Sequence, residues 1–103
     1  MKEKRLRKKF EELSIRVNKA FKYGGVYGAT TCDAYRRIID ELKEDAIPLI
    51  LEELPKNYYW LGALERITQL KQDGHNNSEK INNWIEWGKK NFSKKIEQNI
   101  ETV

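Results

Sequence analysis

Catalysis needs a nucleophile, an acid or base, and a group that stabilises developing charge, and this chain holds few candidates for any of them. His75 is the only histidine and stands in a polar, turn-rich stretch at 72–77, where a solvated imidazole is the expected reading. Glu52 and Glu53 are adjacent, as are Asp40 and Glu41, with Glu44 close by. On a helix, neighbouring carboxylates diverge around the axis and do not form an acid and base pair, so these read as solvated faces. Cys32 is the only cysteine, which excludes an internal disulfide, and no Cys/His cluster with zinc spacing accompanies it. It is read as a small buried or half-buried residue, with a thiol activated at a helix N-terminus as the alternative. The run GGVYGATT at 24–31 has the glycines of a phosphate cradle but neither the Lys-Ser/Thr ending of a P-loop nor a preceding strand. No catalytic residue, cofactor or metal site is therefore expected, and the chain is read as not an enzyme.

What remains is binding chemistry, and two groups of residues carry it. Lys2, Lys4, Arg5, Arg7, Lys8 and Lys9 crowd the first ten residues against Glu3 alone, so the formal charge of +4 is essentially a property of this leader, residues 1–9. Such a leader binds phosphates or acidic surfaces, or simply solvates the start of a helix. The second group is aromatic: Tyr23 and Tyr27 flank the glycines, and Tyr58 and Tyr59 precede Trp60. Tyrosine is favoured at protein interfaces, and it also covers the ends of cores.

The elements that must position these residues are helical. With 103 residues the chain is expected to be one all-α domain, and a charged fraction of 35% suits thin helices that each expose a wide solvated face. No run nears the roughly 20 apolar residues that cross a bilayer, and no apolar segment follows the basic leader as in a signal peptide, so a soluble cytoplasmic protein is expected. Leu6, Phe10, Leu13, Val17 and Ala20 alternate spacings of four and three, which predicts a first helix over 4–23 that could also serve as a homodimer seam. The glycines at 24, 25 and 28 predict the longest loop. Thr30 and Asp33 predict a capping box for a second helix over 31–42, with Tyr35, Ile38, Ile39 and Leu42 on its inner face. Asp45 and Pro48 predict the start of a third helix that buries Ile47, Ile50, Leu51 and Leu54 and stops before Pro55. Asn57 predicts the cap of a fourth, with Trp60, Leu61, Leu64, Ile67 and Leu70 inward, where Gly62 implies a close helix approach. Ser78 and Glu79 predict the start of a fifth, with Ile81, Trp84 and Ile85 inward and a frayed tail over 93–103.

Four pieces in this order, AYRRII at 34–39, AIPLILEEL at 46–54, WLGALERIT at 60–68 and WIEWG at 84–88, resemble a group of small uncharacterised bacterial proteins with AY-x-x-II, AIPLI, W-x-x-AL-x-x-IT and W-x-x-WG elements. The chain departs from that pattern at Gln69, where the group has glycine, and in a longer tail. The second and third pieces also resemble one HEAT repeat, an apolar helix with an early proline followed by a helix with an Ala-Leu pair. The resemblance implies about five helices around a HEAT-like pair, and it carries no catalytic residue.

The leading functional expectation is a small module, from a bacterium or a phage, that binds a partner protein as inhibitor, antitoxin-like neutraliser or adaptor, through Tyr23, Tyr27, Tyr58 and Tyr59. The alternative is sequence-independent nucleic-acid binding through Lys4, Arg5, Lys8 and Lys9, assisted by Arg36, Arg37, Lys89, Lys90, Lys94 and Lys95.

Overall fold

The computed structural model describes the backbone of residues 2–101 and the side chains of residues 4–92. The described backbone is helical, with turns and an irregular stretch at 69–76 and no strand among the described residues. It runs as α1 (Lys2–Thr31), α2 (Asp33–Arg37), a π-helical turn (Ile38–Leu42), a 3₁₀ turn (Lys43–Ala46), α3 (Ile47–Glu53), α4 (Trp60–Thr68) and α5 (Asn77–Glu101). The tail at 93–103, expected to fray, has side chains outside those described. No described helix is long and apolar enough to cross a membrane. The chain divides at the Leu70–Lys71 link into two compact units.

In the first unit, the stripe read from the sequence is the buried face of α1: Phe10, Leu13 and Val17 are at most 4% exposed. Leu6 and Ala20, at the two ends of the stripe, are part-buried. α1 packs against α2 and the two short turns that follow it, and α3 packs against α4. Tyr35, Ile38, Ile39 and Leu42 are all buried, as are Ile47, Ile50 and Leu54. At the centre Trp60 is fully buried, with the Phe10 ring 5.5 Å away, Tyr35 stacked at 5.5 Å and Tyr59 tilted at 5.1 Å. Tyr35 is locked at both ends. Its ring stacks on Trp60, and its hydroxyl donates a 2.7 Å hydrogen bond to the Tyr59 carbonyl. A Cβ at position 62 would sit 3.1 Å from that hydroxyl, which accounts for Gly62 inside a helix.

Several boundaries differ from the sequence reading. The glycines do not make a long loop: helical turns continue through Gly24, and only Gly25 leaves the helical region, at φ 64° and ψ −155°, before they resume. A single residue without a Cβ is enough to redirect the helix. Thr30 does not cap α2. Its hydroxyl donates back to the Val26 carbonyl at 2.9 Å and that of Thr31 to Tyr27 at 2.6 Å, while extended Cys32 holds the N-cap position without a side-chain cap bond. Asp45 lies within the 3₁₀ turn and Ala46 precedes α3, although Pro48 stands in its first turn as expected. Asn57 is taken up in a turn that continues from α3, its amide donating to Glu53 O at 3.0 Å, so α4 opens on Tyr59. Leu70 lies beyond the end of α4 and is 46% exposed.

Among the described residues two non-glycine residues take positive φ, and each ends an element. Lys43 (φ 52°, ψ −135°) closes the π-helical turn, and Gln69 (φ 63°, ψ 19°) is the left-handed C-cap of α4. Position 69 is where the resembled pattern has glycine, the residue that adopts this conformation without a steric penalty.

In the second unit, α5 begins one residue before Ser78. The Asn76 side chain accepts from the Glu79 amide at 2.9 Å, and the Glu79 carboxylate accepts from the His75 amide at 2.6 Å. Asn76 thus takes the capping place expected of Ser78 while Glu79 keeps its part, its carboxylate reaching the amide just before the cap, and His75 belongs to a helix start. Asn83 ties back to the Asp73 carbonyl. Trp84 is buried and meets Trp87 edge-on at 5.2 Å, and Trp87 meets Phe92 at 5.7 Å.

Candidate interaction surfaces

The four tyrosines singled out in the sequence separate into three exposed rings and one buried ring. Tyr23 is 84% and Tyr27 79% exposed, on either side of the Gly25 break, and Val26 between them is 39% exposed. Tyr23 stands on the regular turns of α1 before the break, and Tyr27 on those that follow it. Tyr58 is 42% exposed and meets Phe21 edge-on at 6.0 Å, which brings it to the same end of α1. Tyr59 is 2% exposed and packs on Phe21 and Trp60, so it belongs to the core and not to a contact surface. The adjacent residues 58 and 59 fall on opposite sides of the turn into α4, and sequence alone did not say which would point in.

The buried phenols are held neutral. Burial pushes Tyr59 up to about 12, reinforced by the Glu53 charge, and it pushes Tyr35 well above the ordinary tyrosine range, partly offset by the backbone amide of Ala63 and by Arg66.

The leader is no detached tail but the first turns of α1, tied to the rest of the unit by ion pairs. Arg7 reaches Glu52 of α3 at 3.1 Å, and Lys9 reaches Glu41 at 2.8 Å. Glu41 also accepts from Arg37 at 2.7 Å on its other oxygen. Hydrogen bonds from Arg37 first and Lys9 second hold this carboxyl down at about 2, and the same carboxylate raises Arg37.

Beside this pair of bridges lies an open cleft of about 460 Å³, lined by Arg5, Lys8, Lys9, Glu12, Leu13, Arg16 and Arg37. It gathers three of the four leader cations named from the sequence and adds Arg16 and Arg37; Lys4 does not line it. Arg16 was legible in principle, since positions 5, 8, 12 and 16 share one helix face, whereas Arg37 arrives only through the packing of α2 on α1. Of the other assisting cations, Arg36 pairs with Asp33 at 3.5 Å. Lys89 and Lys90 belong to the second unit, and the side chains of Lys94 and Lys95 lie outside those described.

Asp40, Glu44 and Asp45 line a second shallow cleft of about 510 Å³ with Arg66, and all three are exposed. No group of residues able to hold a metal ion occurs among those described. Cys32 is half-buried, with its sulfur 3.3 Å from the Ala29 carbonyl, in keeping with the small part-buried residue expected. No protein family, curated protein or solved structure matches the chain.

Proposed function

We propose that the protein is a non-catalytic, five-helix interaction module, built around a HEAT-like α3–α4 pair, that binds a partner protein through Tyr23, Val26 and Tyr27, with Tyr58 at the margin. The observation that carries this reading is the pair of tyrosines left 84% and 79% exposed around a one-residue helix break. Large amphipathic rings held on helical backbone offer contact area at low entropic cost, and tyrosine is enriched where partners bury their interface centres. Support for the HEAT-like pairing is Pro48 in the first turn of α3 and the Ala63–Leu64 pair buried on α4. Inhibitor, antitoxin-like neutraliser and adaptor are the roles such a surface suits in a bacterial or phage cytoplasm.

The test is co-purification of the tagged full chain from its native host, after nuclease treatment, beside a Tyr23→Ala/Tyr27→Ala variant. The expected result is a stoichiometric protein retained by the wild type and lost from the variant, with unchanged helical circular dichroism. Equal retention by both proteins would refute the assignment to these tyrosines.

A further inference from the structure

We infer that the cleft between α1 and Arg37 binds the phosphate backbone of duplex nucleic acid without regard to sequence, an activity separate from the aromatic surface. Five of its seven lining residues are cations and Glu12 is the sole carboxylate among them. Lys9 and Arg37 are already engaged by Glu41, which fixes both side chains at the cleft edge. Arg5, Lys8 and Arg16 make no ion pair among the described residues and are exposed, so their charge is available to a ligand. Positions 5 and 16 are eleven residues apart on one helix, a span of about 16 Å along its axis. A row of this length suits an extended polyanion better than a single phosphate.

The rest of the lining selects among polyanions. Unstacked strands are held by aromatic platforms, and the cleft has none, Leu13 being its only apolar residue. Asparagine and glutamine, which read adenine edges, are absent from the lining as well. Arginine and lysine without stacking rings fit contacts that position a duplex by its phosphates.

The magnitude follows from counterion release. Three phosphate contacts give a slope of about −2.7 in log affinity against log salt, or a loss of about 40-fold between 50 and 200 mM. Removing one contact lowers that loss to about 12-fold.

The experiment is fluorescence anisotropy of the full chain with a labelled 20-base-pair duplex, the matching single strand, and vesicles containing 30% phosphatidylserine, across 50 to 200 mM salt. Arg16→Gln should weaken duplex binding and flatten the salt dependence as given, and a duplex of scrambled sequence should bind within twofold of the first. Glu12→Gln should tighten binding, a gain that misfolding cannot imitate. Failure to bind duplex at 50 mM salt, affinity unmoved by both substitutions, tighter binding to the single strand, or binding confined to vesicles would each overturn the assignment.

Discussion

Replacing Tyr35 by phenylalanine should make the protein less stable at neutral pH and more stable above roughly pH 11. At neutral pH the change removes a 2.7 Å hydrogen bond to the Tyr59 carbonyl from a fully buried site, while the ring and its stacking on Trp60 are retained. The net cost of one such bond is about 1 kcal/mol. In alkali the sign turns. A phenol whose folded pKa is raised contributes stability that is complete below the unfolded value of 10.0 and is lost as pH rises toward the folded value. Because the unfolded chain ionises first, Tyr35 alone removes about 1 kcal/mol between pH 10.5 and 11, and phenylalanine removes none of this. The two stability curves should therefore cross at roughly pH 10.5–11. Lysines and the other tyrosines titrate in both proteins, so the difference between the curves isolates position 35. The assay is urea unfolding followed by circular dichroism at half-unit steps from pH 7 to 11.5. A penalty that stays constant across the range would show that the hydroxyl is not held protonated by burial, and the reasoning would fail.

Gln69→Gly should raise stability by about 0.5–1 kcal/mol, since the left-handed C-cap penalty exceeds the loss of an exposed side-chain bond to the Arg66 carbonyl; thermal unfolding would show a midpoint higher by a few degrees. Glu41 has a depressed folded pKa, so its contribution is present above the unfolded value of 4.5 and is lost as pH falls toward about 2. Acid titration of Glu41→Gln should show a shallower fall in stability over that window than the wild type. Tyr59→Ala should cost about 3–4 kcal/mol in urea unfolding, whereas Tyr27→Ala should stay within about 0.5 kcal/mol of wild type. Equal costs would mean that the two rings do not divide into core and surface.

Helical periodicity was legible in the stripes of α1 and α2, and less so in α4, where Leu61 and Ile67 are part-buried and Leu70 is exposed. The spacing of Phe10, Leu13 and Val17 follows from 3.6 residues per turn, and Tyr35, Ile38, Ile39 and Leu42 are buried as expected although the helix over 31–42 passes from α2 into a π-helical turn at Ile38. Helix ends were less legible because capping residues have more than one use. Thr30 and Thr31 bond backwards to close the turns after Gly25, and Asn57 joins the turn leaving α3, so none of them begins the helix that follows. Asn76 won the start of α5 over Ser78 because Glu79 stands three residues after it.

The candidate surfaces divide along the same line. Glycine at 25 and tyrosines on both sides of it are local facts, and both rings are exposed in the fold. The choice between Tyr58 and Tyr59 is not local. Both neighbouring rings meet Phe21, and what separates them is that the Tyr59 ring also packs on Trp60 in the core. The basic cleft shows the same dependence. Residue types near the N-terminus announce positive charge, but charge becomes a site only where side chains distant in sequence share a wall. Packing α2 on α1 brings Arg37 opposite Arg5 and Arg16 and places Glu41 between Arg37 and Lys9, because the buried faces of those helices leave only one orientation for their polar sides.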